Sequence, residues 1–183
     1  MSKACVFLAD GFEEIEGLTV VDILRRAGVE TQMISIKDEK MVVGSHQIAV
    51  QADVCLKDAD CTDADILVLP GGMPGTLHLG ACRELTDLLV KFHENGKKTA
   101  AICAAPSVLG DLGILKGKKA CCYPGFEDRL TGAEVVFDEV AADGNVTTSR
   151  GMGTAIPFAL ALTAQLVSEE KAMELKKGII FGG

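Results

Sequence analysis

The sequence predicts an α/β fold built on an open, mostly parallel sheet, and three observations carry that expectation. Short runs dominated by apolar or β-branched residues, Lys3–Leu8, Asp65–Leu69 and Thr99–Ile102, suit strands buried on both faces. Each gives way to turn residues and then to a stretch with helical periodicity. The links are tight: Pro70-Gly71-Gly72-Met73-Pro74-Gly75 follows the second run, and Cys103-Ala104-Ala105 follows the third. Strand, glycine-rich loop, helix, strand, elbow and helix is an α/β order.

The chain of 183 residues is 48% hydrophobic and 24% charged, which suits one domain spanning 1–183 around one substantial core. No repeat, charge block or Pro-rich tract marks a linker, and no apolar run approaches the roughly 20 residues of a membrane span. A net charge of −8 without a basic cluster argues against nucleic acid and against an anionic membrane surface, both of which need a positive face. The first residues lead directly into a strand pattern with no signal-peptide pattern, so a cytoplasmic location is expected. Seven cysteines lack Cys-x-x-Cys spacing and histidine pairs, which fits neither a disulfide framework nor a zinc site. No metal and no cofactor is expected, and the partners left are small molecules or protein.

Lys3–Leu8 is the first strand. Ala9-Asp10-Gly11-Phe12 then turns the chain into a helix from about Glu13 to Arg26, with acids at its start, Arg25 and Arg26 at its end and Gly28 beyond as a stop. Ile15, Leu18, Val21 and Leu24 form its apolar stripe, while Glu16 falls beside Phe12, Thr19 and Val20. Glu16 therefore reads either as a solvated first-turn acid or as a carboxyl group with apolar neighbours. Glu30–Ile36 is a second strand, and Val42–Val50 around Gly44-Ser45-His46-Gln47 is a hairpin outside the main sheet and a dimer edge. After Asp65–Leu69, the glycine-rich loop offers backbone N–H groups to an anion, or serves only as a tight connection. Cys82–Asn95 is a helix with Leu85, Leu88, Leu89 and Phe92 on one face, closed by Gly96.

At the elbow, Pro106 suits the first turn of a helix, where its missing N–H is no loss. Small Ala104 and Ala105 permit a sharp turn that lifts Cys103 above the sheet edge. A thiol at a helix start is favoured as thiolate, whereas a cysteine in apolar surroundings is an inert core residue; both readings follow from this placement. Lys118–Cys122 is a further strand. Val140-Ala141 and Val146–Thr148 flank Ala142-Asp143-Gly144-Asn145, a hairpin signal. Ser149-Arg150-Gly151-Met152-Gly153 is not a dinucleotide fingerprint, because Ile156 stands where its third glycine belongs. Thr154–Val167 is an apolar helix with Pro157 in its first turn, and Ser168 caps a last helix to about Lys177.

Taken together, Asp10-Gly11-Phe12-Glu13-Glu14-Ile15-Glu16, Leu69-Pro70-Gly71-Gly72, Ala101-Ile102-Cys103-Ala104-Ala105-Pro106 and Thr148–Thr154 resemble the ThiJ/PfpI superfamily, closest to its DJ-one branch. The resemblance implies a flavodoxin-like three-layer sandwich with helices on both faces and a homodimer. It further implies that Cys103 is an oxidisable nucleophile, that Glu16 hydrogen-bonds to it, and that the amides of Gly71, Gly72 and Ala104 bind an anion. Tyr123 and Arg150 are auxiliary candidates. Tyr123 stands where the best-known members carry histidine and, with a reference pKa of about 10, is a poor proton acceptor at neutral pH.

Two functions follow from the resemblance. In one, Cys103 adds to a small 2-oxoaldehyde such as methylglyoxal, and Glu16 serves as acid and base in a cofactor-independent glyoxalase or deglycase, the latter acting on glycated protein. In the other, Cys103 is oxidised to sulfinate in a redox-sensing, stress-protective chaperone without turnover. Charge alone requires that Glu16 and Cys103 share one proton, and the expected resting form is protonated Glu16 donating to a Cys103 thiolate.

Overall fold

Ala4 to Leu8 is inaccessible to solvent at every position, a condition met only by a strand covered on both faces. The computed structural model describes residues 1–182 and makes this run the third of seven strands counted from one edge. In chain order the elements are β1 (Lys3–Leu8), α1 (Glu14–Arg26), β2 (Glu30–Ser35), β3 (Met41–Val43), β4 (Ala49–Gln51), β5 (Val54–Cys55), β6 (Ile66–Leu69), α2 (Gly75–Ala81), α3 (Arg83–Glu94), β7 (Lys98–Ile102), α4 (Pro106–Asp111), β8 (Lys119–Ala120), β9 (Glu134–Val135), β10 (Val140–Asp143), β11 (Val146–Ser149), α5 (Ala155–Leu166) and α6 (Glu169–Gly178). The main sheet runs β10-β11-β7-β6-β1-β2-β5, and every neighbouring pair is parallel except the β10–β11 hairpin. Its central order β2-β1-β6-β7-β11 is the doubly wound, flavodoxin-like arrangement, in which ligands meet the carboxyl ends of the strands where the order reverses. Here the reversal lies between β1 and β6, and β7 is next to it.

Alternation along β1 divides the core in two. Cys5 and Phe7 join Leu67 and Leu69 of β6, Leu79 of α2 and Leu85 and Leu89 of α3 on one face. Ala4, Val6 and Leu8 join Val20 and Leu24 of α1 and Phe158 and Leu162 of α5 on the other. Strands β3 and β4 pair with each other outside the main sheet, as the sequence predicts. Ser168 caps α6 by accepting a hydrogen bond from the Lys171 N–H at 3.1 Å. Among the described residues no helix is long and apolar enough to cross a membrane.

Three expectations change. The buried side of α1 carries Glu16, Gly17, Val20, Val21, Ile23 and Leu24, while Ile15 is 50% exposed. The helix is wedged against both the sheet and α5, which turns its face towards Glu16 inward and leaves Ile15 outside. Helix α2 was not expected, because Gly75 and Gly80 dilute its local signal, and the following helix starts at Arg83. The strand expected at Lys118–Cys122 shrinks to β8, paired with β9 in a separate two-stranded sheet. The place beside β11 is taken by β10, and the Cys121 N–H donates to the Thr148 hydroxyl at 2.9 Å instead of entering a ladder.

The loop after β1 and the loop after β6 meet backbone to backbone. A Cβ at Gly75 would lie 2.5 Å from the Phe12 nitrogen and 2.7 Å from the Gly11 carbonyl carbon, neither of which has a flexible end to move. Replacing Gly75 by Ala, although alanine is the better helix former, should therefore destabilise the protein by about 1–3 kcal/mol and slow alkylation of Cys103, by displacing the loop that leads to Glu16. Urea unfolding and iodoacetamide labelling check both; an unchanged midpoint and rate would refute the interlock.

Candidate active site

Strand β7 ends at Ile102, and the next residue takes φ +65°, a left-handed backbone that a cysteine adopts only at a cost of order 1–3 kcal/mol. Hydrogen bonds on both sides hold it there. The Cys103 N–H donates to the Ser149 carbonyl at 3.0 Å, and the Cys103 carbonyl accepts from the Tyr123 N–H at 2.8 Å. Ser107 donates from its hydroxyl to the Ala104 carbonyl at 2.6 Å, and Pro106 occupies the first position of α4. The elbow expected from the sequence is thus present, and its thiol is half-buried.

Glu16, in the first turn of α1, is 1% exposed, and its carboxyl group lies close enough to the Cys103 thiol for the two to shift each other's pKa. Its Oε2 accepts the Gly71 N–H at 2.9 Å, and its Oε1 is buried with no hydrogen-bond partner. A Cβ at Gly71 would stand 2.6 Å from the Cys103 Cβ and 2.8 Å from Glu16 Oε2, so only glycine lets the three segments converge. The amide of Gly71, expected among the anion donors, is therefore committed to Glu16. The amides of Gly72 and Ala104 reach the sulfur.

Burial pushes the Glu16 carboxyl up to about 7, against the hydrogen bonds from Cys103 and Gly71 and with help from the nearby Glu13 charge. Burial, followed by the charge and hydrogen bond of Glu16, pushes the Cys103 thiol up to about 12, although Gly72 and Ala104 pull it down. The two groups are close enough to titrate as a pair. Burial raises both pKa values, which weighs against the resting thiolate expected from the sequence: α4 is only six residues long, and the Gly72 and Ala104 amides pull against burial beside a carboxyl group. A thiol held up by burial thus faces a carboxyl group that titrates near neutrality. That arrangement suits attack by sulfur concerted with proton transfer to Glu16.

Cys103 and Glu16 open into a cavity of about 410 Å³ with Tyr123 and His46 on its walls. Met73, Phe126 and Met152 give it an apolar rim. A larger groove of about 620 Å³ lies along the exposed face of α1 but holds no nucleophile, so the smaller cavity is the chemical one. Tyr123 is brought to the site and is 50% exposed. Arg150 does not line the cavity; its guanidinium lies 5.7 Å from the Phe137 ring centre, its Nε buried without a partner. Sequence reasoning missed His46 and Glu14. The His46 N–H donates to Glu14 Oε1 at 2.8 Å, and His46 Nδ1 is 3.0 Å from Glu14 Oε2. Only the turn signal at Gly44–Gln47 was legible, and it gave no hint that the turn folds back on α1. With Glu13 this pair forms the one described cluster of three groups with metal-ligand chemistry, their ligand atoms within 4.8 Å of one another.

Because the Glu16 pKa is raised by folding, its proton stabilises the folded protein fully below about pH 4.5, and that stabilisation is lost as pH rises through about 7. The parent should lose roughly 3 kcal/mol from this group between those limits, a difference absent in Glu16→Gln. Chemical denaturation of both proteins across this pH range measures it; parallel profiles would show that Glu16 titrates at its ordinary value.

A family model described as the DJ-1/PfpI family matches residues 2–165. Protein dj-1beta of Drosophila melanogaster is 38% identical over 183 residues, covering 98% of this chain and 98% of its own length. Protein DJ-1 homolog B of Arabidopsis thaliana is 37% identical over 180 residues, and there this chain spans only 41% of the relative's length. A Caenorhabditis elegans protein named glutathione-independent glyoxalase DJR-1.2 is 35% identical over 169 residues, covering 90% of this chain and 88% of its own length. Among solved structures, one described as oxidised Toxoplasma gondii DJ-1 superposes with a TM-score of 0.96 at 34% identity, covering 100% of both chains. The elbow cysteine, the buried glutamate and the doubly wound sheet stand in a chain that belongs to the DJ-1/PfpI family.

Proposed function

We propose that this protein is a cofactor-independent enzyme of the glyoxalase or deglycase type, acting on 2-oxoaldehydes. The observation that carries the reading is a buried carboxyl group with a pKa of about 7 beside a thiol on a strained elbow. Cys103 Sγ adds to the aldehyde carbon of methylglyoxal while Glu16 takes the thiol proton and returns it to the new hydroxyl group. Glu16 then moves the proton on that carbon to the neighbouring one, while the hydroxyl proton passes to the neighbouring oxygen through the enediol, giving a lactoyl thioester on Cys103. Water cleaves the thioester to lactate and the free thiol. Developing oxyanions lie near the N–H groups of Gly72 and Ala104. The glyoxalase name of the Caenorhabditis elegans relative supports the same chemistry. Glycated protein is a further substrate class, since its adducts descend from the same aldehydes. Seven free cysteines accord with a reducing, cytoplasmic setting.

A second reading, a redox-sensing chaperone, is favoured by the access to Cys103 that buried Cys5 and Cys121 lack. Lactate formed from methylglyoxal by purified protein separates the two. Turnover should vanish in Cys103→Ser and fall at least about 100-fold in Glu16→Gln, which keeps the hydrogen bond from Gly71 but moves no proton. Equal lactate from parent and Cys103→Ser would remove the enzyme reading and leave the sensor.

The protein is further proposed to be a homodimer. Ile15, Leu18, Ile48, Ile156 and Ile179 line the groove of about 620 Å³ beside α1, an apolar surface beyond what the core uses. Light scattering should return twice the chain mass, and Ile15→Glu should return the monomer; a monomeric parent refutes the assembly.

A further inference from the structure

We propose that His46 is a second catalytic residue of this site, the base that activates water to cleave the acyl group from Cys103, with buried Glu14 as its positioning residue. The inference rests on the thioester chemistry proposed above, in which a water molecule must lose a proton after Glu16 has completed the rearrangement. Glu16 is already engaged, its Oε2 held by the Gly71 N–H and its carboxyl group coupled to the sulfur that departs. Tyr123 is a poor acceptor at neutral pH. His46 lines the same cavity as Cys103.

The geometry around His46 is built rather than incidental. Glu14 is 3% exposed, and its two oxygens grip the residue twice, Oε1 at the backbone N–H and Oε2 at the ring. Burial alone would raise the Glu14 carboxyl, yet its own N–H, the His46 ring and the His46 backbone hold it at about 2, so it is ionised. An ionised carboxylate only accepts, which assigns the proton to Nδ1 and leaves Nε2 of this cavity-lining residue as the free acceptor. Ser45 Oγ, 3.0 Å from Nδ1, and Ser45 N–H, which donates to the Phe12 carbonyl at 2.8 Å, fix the turn against α1. The side chain of any residue other than glycine at position 44 would collide with the Glu14 carboxyl group. A carboxylate-oriented imidazole that shares a cavity with an elbow nucleophile suits hydrolysis.

In the step itself, Nε2 takes a proton from water as its oxygen bonds to the acyl carbon, and the carbon–sulfur bond breaks. The imidazolium proton then returns to the departing sulfur, and the carboxylic acid product releases its own proton to solvent. The charged groups facing His46 are Glu13, with Oε2 3.6 Å from Nδ1, and Glu14 on α1, with Glu16 and Cys103 across the cavity. The hydrogen bond to Glu14 and the charges of Glu13 and Glu14 hold the imidazole above its usual value, so deacylation should accelerate as pH rises through that raised pKa.

The test uses 4-nitrophenyl acetate, which transfers an acetyl group to a thiol, with nitrophenolate release reporting acylation and intact mass reporting the adduct. In His46→Gln the burst of acylation should be unchanged, while the acetyl-Cys103 adduct should persist roughly 100-fold longer than in the parent, with added imidazole restoring its decay in His46→Ala. Glu14→Gln should shift the apparent pKa of deacylation downwards. Equal adduct lifetimes in parent and His46→Gln would overturn the proposal, as would the absence of any adduct on Cys103. A parent that deacylates with His46 but makes no lactate from methylglyoxal would refute the glyoxalase reading alone.

Discussion

The contact between Glu16 and Cys103 joins the first turn of α1 to the elbow after β7, and the surrounding backbone is shaped to permit it. Burial disfavours the charged form of both groups; the charge and hydrogen bond of Glu16 raise the Cys103 pKa further, while the contact with Cys103 lowers that of Glu16. The result is a base poised near neutrality beside a protonated nucleophile. A resting thiolate would be the more reactive and more easily oxidised form. A thiol with its base already in contact is unmasked only as a bond to substrate forms.

Glycine makes that contact sterically accessible. At Gly71 a side chain would strike both partners of the pair, and at Gly75 it would strike the loop ahead of α1. Both sit just past β6, beside the point where the strand order reverses, so the fold brings three chain segments to one spot and glycine lets them touch. The strain in Cys103 belongs to the same design. A sharp turn aims the sulfur out of the sheet, held by the Cys103 N–H donating to the Ser149 carbonyl and the Tyr123 N–H donating to the Cys103 carbonyl, with Ser107 bonded to the next carbonyl at Ala104.

Electrostatics divides the acids of α1 into different tasks although they are near neighbours in sequence. Glu14 meets backbone N–H groups and an imidazole and stays ionised; Glu16 meets a thiol and one amide and stays near its midpoint at neutral pH. Both are inaccessible to solvent, but Glu16 lies deeper and is desolvated more, while Glu14 has more groups donating to its carboxylate. The same helix turns Ile15 outward, which makes it at once the floor of the site and a candidate subunit interface.

Local signals in the chain determined much of this architecture. The apolar run of β1, the Asp-Gly turn before β11, Ser168 as a cap and Pro106 opening a helix after Cys103 all rest on interactions within a few residues, so the sequence alone places them. Local pattern marked Cys103 and Glu16 as candidates with an inert alternative for each, and the family resemblance is what paired them. Tertiary structure decided the rest. Which face of α1 is buried, whether Gly71 serves Glu16 or an anion, how far burial outweighs a short helix at Cys103, and that the turn at His46 closes onto Glu14 all depend on segments distant in sequence. Desolvation and backbone collision are properties of the packed interior, and no run of adjacent residues encodes them.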